Sequence, residues 1–182
     1  MNTHLALLRG INVSGKKLIK MEDLRKLMEA AGFENVKTYI QSGNIVFDSK
    51  EISKAKLSEK VKKVIFDHYG FDVSVVMLNG KDLAKAIAEN PFIKEKGIDL
   101  KQVYVAFLSE EPIEDNIERM KLAKIGDDIA LLSGNVMYLK YAAGAGNSKL
   151  STNLIENKLK VIATARNWNT TLKLMEMLGD KK

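Results

Sequence analysis

A short apolar run that opens into a polar loop lies near the start of the chain: Leu5-Ala6-Leu7-Leu8-Arg9-Gly10-Ile11-Asn12-Val13-Ser14-Gly15-Lys16-Lys17. An apolar run of this length that ends at glycine predicts a buried strand, here over Thr3–Arg9. The loop combines glycines, small hydrogen-bonding side chains and lysines, and such loops can turn several backbone N–H groups toward one anion. We therefore predict a loop that binds an anion or another polar ligand, with a plain connector as the alternative.

The same loop matches only part of the phosphate-binding motif of ATPases. Gly10 and Gly15-Lys16 have the required spacing, but Lys17 stands where that motif has Ser or Thr to hold magnesium. The helical period begins only at Met21, so no helix follows the loop directly. Both differences argue against an ATPase-type loop.

The first half of the chain shows the element order strand-helix-strand-strand-helix-strand. After the first strand, the apolar periods predict a helix from Met21 to Ala31, strands Val36–Gln41 and Asn44–Phe47, a helix Ile52–Tyr69 and a strand Asp72–Leu78. Ser42-Gly43 is predicted to form a two-residue turn between the middle strands. This order is that of the ferredoxin-like split βαβ plan.

A second round of similar elements follows a short linking helix at Lys81–Glu89. It comprises predicted strands Val103–Leu108, Asp128–Leu132, Asn135–Tyr141 and Val161–Ala165, and helices Ile113–Lys124, Ser151–Lys160 and Thr170–Leu178. Ile40–Phe47 aligns with Leu131–Tyr138, so that two Ser-Gly-Asn hairpins correspond and Ser133-Gly134 forms the second turn. We predict an α+β protein of two ferredoxin-like subdomains, residues 1–80 and 81–182, related by a pseudo-duplication.

The split βαβ topology predicts where a binding site lies. The first and second strands run in the same direction, so the loop after the first strand and the hairpin after the second share one sheet edge. The candidate ligand-binding residues at this edge are Arg9, Asn12, Ser14, Lys16, Lys17, Gln41, Ser42 and Asn44. In the alternative interpretation, Gly43 only supports the turn and Asn44 only bonds the backbone.

A second polar motif, Arg166-Asn167-Trp168-Asn169, lies between the last predicted strand and the last helix. Arg166 could grip a carboxylate or phosphate at the helix N-terminus, and Trp168 could stack on a planar group. The alternative is a structural one, in which Asn167 or Asn169 caps the helix, the tryptophan lies in the core and the arginine pairs with a carboxylate.

The amino-acid composition limits the kinds of site that we expect in the protein. Cysteine is absent, which excludes disulfides and thiolate nucleophiles, and the two histidines are far apart, so we predict neither a metal site nor a cofactor. No apolar run approaches the roughly 20 residues of a membrane span, and no signal peptide is evident, so we expect a cytoplasmic protein without a membrane partner. The net charge of +6 is compatible with a polyanionic partner.

Three functions fit these observations. The first is binding of a small polar or phosphate-bearing ligand at the first loop, with or without chemistry, since no nucleophile–base pair or carboxylate dyad is evident. The second is nucleic-acid binding through strand aromatics such as Tyr104 and Tyr138, which is less favoured because both faces of several strands are apolar. The third is a structural or oligomeric role for the polar motifs, and the sequence does not predict the oligomeric state.

Several motifs in order along the chain resemble those of a bacterial family, domain-of-unknown-function family 1697. They are Leu7–Val13 with Gly15-Lys16, Tyr39–Asn44, Asn90-Pro91-Phe92, Gly144–Leu150 and Thr164–Thr170. The resemblance implies a cytoplasmic protein of two α+β subdomains with ferredoxin-like character, and it implies no reaction. Ser14 departs from the family, whose members often have glycine there.

Overall fold

A computed structural model describes residues 1–179, which form eight strands and six α-helices. The strands are β1 (Asn2–Arg9), β2 (Glu34–Tyr39), β3 (Asn44–Ser49), β4 (Ser74–Asn79), β5 (Val103–Leu108), β6 (Ile129–Ser133), β7 (Val136–Lys140) and β8 (Ala163–Asn167). The helices are α1 (Met21–Ala30), α2 (Lys54–Tyr69), α3 (Gly80–Ala88), α4 (Glu114–Lys121), α5 (Thr152–Leu159) and α6 (Trp168–Gly179). None of these helices is both long and apolar enough to cross a membrane.

The strands form two four-stranded sheets with the same plan. The first has the order β2-β3-β1-β4 and the second the order β6-β7-β5-β8, and all neighbouring strands are antiparallel. In each sheet the strand that opens the unit lies in the interior, between the third and fourth strands, as the split βαβ plan requires. The predicted α+β fold in two similar halves is thus confirmed.

The chain divides into two compact units. The first contains Met1–Ala84 together with residues 174–179, and the second contains Lys85–Lys173. Helix α6 therefore begins in the second unit, and its last residues belong to the first.

The core of the first unit lies between its sheet and helices α1 and α2. Its large buried members include Leu8, Ile19, Leu24, Met28, Phe33, Ile45, Phe47, Leu57 and Ile65. Leu5 and Leu7, which point to the other face of β1, are also fully buried. A strand that is buried on both faces needs a nearly continuous apolar sequence, which is what residues 5–8 provide.

Both hairpin turns differ from the prediction. Tyr39 pairs with Asn44, so the first loop has four residues, 40–43, and β2 ends early because Ile40 has a φ of +48°. Ser133 pairs with Val136, so the second turn is Gly134-Asn135 and not Ser133-Gly134.

Hydrogen bonds to the central strands explain this difference. Leu8 N–H donates to the carbonyl of Gly43, whereas Leu108 N–H donates to the carbonyl of Asn135. The two Ser-Gly-Asn sequences are therefore displaced by one residue relative to their sheets. The shared tripeptide indicated two hairpins correctly but predicted the wrong geometry for each.

The buried histidine of β1 makes stability depend on pH. His4 is 4% exposed, and neither ring nitrogen has a hydrogen-bond partner among residues 1–179. Burial lowers the pKa of His4 below its ordinary value, and the nearby backbone of Glu51 and carboxylate of Asp48 oppose this effect only in part.

We expect the protein to lose stability as the pH falls below about 6.5, because the unfolded chain then takes up a proton that the folded chain refuses. His4 alone changes the free energy of unfolding by at most about 1.4 kcal/mol per pH unit. Urea unfolding at pH 7.5 and 5.5 measures this change in stability. The difference between the two pH values should be smaller in His4→Phe, and the exposed His68 is retained in both proteins as an internal control. An equal pH dependence in both proteins would assign the effect to other groups.

Candidate functional site

The loop after β1 folds into a miniature hairpin. Lys16 N–H donates to the carbonyl of Val13 at 3.0 Å, and Asn12 N–H donates to the carbonyl of Lys17 at 3.2 Å. Ser14 and Gly15, at the tip, have φ values of +51° and +73°, as a type I′ turn requires. The amides of Asn12 and Lys16 are thus used within the loop, so it does not form a phosphate-binding nest of the ATPase type.

Asn12 fastens this loop to the hairpin between β2 and β3. Its side-chain amide donates to the carbonyls of Ile19 (3.0 Å) and Gln41 (2.8 Å), and its Oδ1 accepts from Ile19 N–H (2.8 Å). The predicted proximity of the first loop and the first hairpin is confirmed for Asn12 and Gln41. Because both amide hydrogens are already used, Asn12 shapes the site more than it offers a free donor to a ligand.

The hairpin loop itself is tightly packed. Asn44 is fully buried and donates to the carbonyl of Tyr39 (2.9 Å) and to Oγ of Ser42 (3.0 Å). Gly43 has a φ of +78°, and a Cβ there would lie 2.6 Å from Cβ of Leu8. These contacts match the alternative interpretation, in which Gly43 and Asn44 build the turn.

The cationic residues of the predicted site lie around the loop and not in one pocket. Lys17 Nζ donates to the carbonyl of Asp72 at 2.5 Å and lies 5.9 Å from the centroid of the Phe71 ring. Lys16 is exposed at the tip, and Arg9 is half-buried at the end of β1, where it pairs with Ser74 of β4.

A groove of about 740 Å³ lies beside the loop. Its walls come from the second half of the loop, the first turns of α1, the hairpin and the end of α2. The lining residues are Asn12, Leu18, Ile19, Lys20, Met21, Glu22, Asp23, Arg25, Gln41 and Tyr69. This volume is within the range of about 300–1,000 Å³ typical of small-molecule sites.

One wall of the groove contains a polar atom without a partner. The hydroxyl of Tyr69, the last residue of α2, is buried and makes no hydrogen bond within residues 1–179. Burial raises the pKa of Tyr69, and the carboxylate of Asp23 raises it further. The phenol is therefore a neutral hydrogen-bond donor at physiological pH.

The opposite side of the groove is the start of α1. Lys20 precedes the helix and provides no side-chain hydrogen bond to cap it, so the N–H groups of the first turn lack this partner. Glu22 is turned toward Lys26, with Oε1 2.9 Å from Nζ. Arg25 Nη1 makes a long contact of 3.4 Å to Oγ1 of Thr38.

Of the eight predicted site residues, Asn12 and Gln41 line the groove. The lining does not include Arg9, Ser14, Lys16, Lys17, Ser42 or Asn44. Sequence analysis did not single out Lys20, Asp23, Arg25 or Tyr69. Asp23, Arg25 and Tyr69 lie within predicted helices, and Lys20 lies just before the first of them. A lysine where helices usually begin with Ser, Thr, Asp or Asn was the one available signal.

Comparison with known proteins places the chain in a family. The profile of a family described as "Protein of unknown function (DUF1697)" matches residues 1–138. The chain belongs to the DUF1697 family. A solved structure, that of conserved bacterial protein SP0830 from Streptococcus pneumoniae, is 28% identical over 99% of each chain, with a TM-score of 0.78. No curated protein matches the chain.

The groove is built entirely from residues of the DUF1697 match, whereas the second polar motif lies outside it. Strand β8 extends to Asn167 and α6 begins at Trp168, so the predicted strand end at Ala165 and helix start at Thr170 were wrong. The cause is Asn167, which pairs with Tyr104 in the sheet and also caps the helix through Oδ1, which accepts from Thr170 N–H at 2.8 Å.

Two residues of this motif in the DUF1697 chain, Arg166 and Trp168, are buried. Arg166 is 6% exposed and donates through Nη1 to Thr164 Oγ1 and to the carbonyl of Ala165, both at 2.8 Å. Burial lowers the pKa of Arg166 to about 10. Trp168 is 4% exposed, whereas Asn167 and Asn169 lie open to solvent. These contacts fit the alternative of a helix cap with a core tryptophan.

The glycine-rich segment after β7 of this DUF1697 chain is held by one carboxylate. Asp128 accepts from the Ser148 hydroxyl and, through Oδ1, from Ala142 N–H at 2.8 Å. Ser148 Oγ in turn accepts from Leu150 N–H at 2.7 Å. The segment is therefore fastened by its own polar groups.

The strand aromatics that suggested nucleic-acid binding are packed. Tyr138 is 2% exposed, and burial raises its pKa to about 12. Tyr104 is half-buried in an edge-to-face contact with Tyr141, at 5.0 Å between ring centroids. RNA-recognition domains need such rings exposed on the sheet to stack bases.

Proposed function

We propose that the groove between the first loop, α1 and Tyr69 binds a small polar ligand that carries a phosphate or carboxylate group. The residues that we expect to contact it are Lys20, Asp23, Arg25, Gln41 and Tyr69. The proposal keeps the predicted location beside the loop after the first strand. It moves the contacts from the lysines at the loop tip to the groove behind them.

The observation that carries the proposal is the Tyr69 hydroxyl. Buried polar groups nearly always have a hydrogen-bond partner, and one without a partner costs about 1–3 kcal/mol. We expect the groove wall to shift on binding so that a ligand oxygen reaches this buried hydroxyl and supplies the acceptor that residues 1–179 do not provide. Nearby Asp23 can accept from a hydroxyl or amine of the same ligand.

An anionic group on the ligand fits the side of the groove formed by α1. The first turn of a helix presents unsatisfied N–H groups and the positive end of its dipole. Lys20 and Arg25 add positive charge there. Glu22 also lines the groove, and its carboxylate accepts a hydrogen bond from Lys26.

Tyr69→Phe separates binding from folding. We expect unchanged or slightly higher thermal stability, because the change removes a buried hydroxyl that has no partner. We expect ligand affinity to fall about 3–10-fold, the worth of one hydrogen bond. Thermal-shift screening against phosphosugars, nucleotides, simple anions and short RNA identifies the ligand, and titration calorimetry measures both proteins.

Two variants control this experiment. Tyr39→Phe removes a hydroxyl outside the groove and should leave affinity unchanged, and Lys16→Ala tests the exposed loop tip. A ligand whose affinity depends on Lys16 and not on Tyr69 would show that the binding site lies at the tip of the first loop and not in the groove. RNA binding that weakens steeply with salt, with no small-molecule hit, would replace the proposal by nucleic-acid binding.

A further inference from the structure

Strand β6 forms an open edge of the second sheet. It is the outermost strand in the order β6-β7-β5-β8, and only β7 pairs with it within residues 1–179. Its sequence, Ile129-Ala130-Leu131-Leu132-Ser133, contains no charge and no proline. Ile129 and Leu131 are 38% and 44% exposed. Natural proteins usually protect an edge strand of this kind, because its unpaired backbone groups can pair with another chain.

The corresponding edge strand of the first unit is protected in three ways. β2 contains charged residues, Glu34 and Lys37, and its pairing with β3 shifts register between them. Helix α1 also packs against β2. In the second unit, α4 packs chiefly against α5. An apolar groove of about 570 Å³ remains, lined by residues such as Met120, Leu132 and Met137.

We propose that β6 pairs antiparallel with β6 of a second copy of this chain, about a two-fold axis at Leu131. Because Ser133 and Val136 close a two-residue turn, the odd-numbered residues of β6 bond to β7. Ala130 and Leu132 then direct their N–H and C=O groups outward. About this axis, Ala130 of each copy lies opposite Leu132 of the other, and all four outward residues exchange hydrogen bonds.

The side chains favour a second copy over an unrelated strand. The two Leu131 side chains meet directly at the axis and cover one another, and each Ile129 lies opposite the small Ser133 of the other copy. The same register places Asp128 opposite Gly134 and so avoids facing carboxylates. A parallel arrangement would set Asp128 beside its own copy, which is unfavourable. The interface is thus self-complementary, as two-fold symmetry demands.

Sedimentation velocity over a wide concentration series tests the proposal. We expect a reversible monomer–dimer equilibrium in the wild-type protein. Leu131→Lys places two ammonium groups at the axis and should raise the dissociation constant at least about tenfold. The matched control, Ile52→Lys, makes the same change at an exposed position of the first unit and should leave the equilibrium unchanged.

Hydrogen exchange on the wild-type protein provides a test that needs no variant. The amides of Ala130 and Leu132 should become more protected as protein concentration rises, while the amide of the exposed Lys16 should not change. A wild-type protein that stays monomeric throughout, or a dimer unaffected by Leu131→Lys, would overturn the proposal. Concentration-independent exchange at Ala130 and Leu132 would overturn it as well.

Discussion

Gly43→Ala is expected to lower the free energy of unfolding by about 2–4 kcal/mol, since two costs combine at this position. The backbone φ of +78° is unfavourable for any residue with a Cβ. The new Cβ would also lie 2.6 Å from Cβ of Leu8 and 2.9 Å from Cδ1 of Ile11, closer than packed carbon atoms approach. Leu8 cannot withdraw easily, because its N–H donates to the carbonyl of Gly43 at 2.8 Å.

Gly134→Ala provides the matched control for this prediction. Gly134 lies in the corresponding hairpin of the second unit and has a φ of +57°, but a Cβ there would meet no atom within 4 Å. We expect a loss of only about 1–2 kcal/mol from backbone strain. Urea unfolding of both variants measures the difference. Equal losses would show that the strand moves aside and that the close approach of Gly43 to Leu8 costs nothing.

This pair of glycines also shows how far local sequence predicted the fold. The apolar periods predicted the order of elements correctly. Burial of one or both faces of a strand or helix depends on residues that are close together in the sequence. The turn geometry at Gly43 depends instead on Leu8 and Ile11, more than thirty positions earlier. A tripeptide shared by two hairpins contains no information about such contacts. The first loop is therefore two residues longer than predicted, and the second turn is shifted by one residue.

The sequence likewise predicted only part of the candidate site. Asn12 and Gln41 were found because topology brings the ends of β1 and β2 to one edge of the sheet. Tyr69 and Asp23 were missed because each lies in a helix with an ordinary amphipathic pattern. Nothing in that pattern indicates that the last hydroxyl of α2 is left without a partner near the first turn of α1. That property arises only when the two helices pack.

Asn12→Asp is expected to destabilise the first unit by about 2–4 kcal/mol and to abolish ligand binding in the groove. The substitution keeps the size of the side chain, and Asp tolerates the φ of +53° at this position nearly as well as Asn. It removes both donors, so the carbonyls of Ile19 and Gln41 then face a carboxylate oxygen in place of an N–H group. Since these bonds join two walls of the groove, the walls should separate.

Denaturant unfolding and ligand titration measure the two effects, and pH distinguishes their cause. Protonation of the new carboxyl returns one donor, so the stability deficit of Asn12→Asp should shrink in acid, with the wild-type protein measured alongside. Gln41→Ala is the control for the unfolding measurement alone, because Asn12 bonds only the backbone carbonyl of Gln41 and the exposed side chain can be removed without loss of this bond. If Asn12→Asp kept full affinity despite its lower stability, the groove could not be the binding site, because its shape depends on the bonds that this variant breaks.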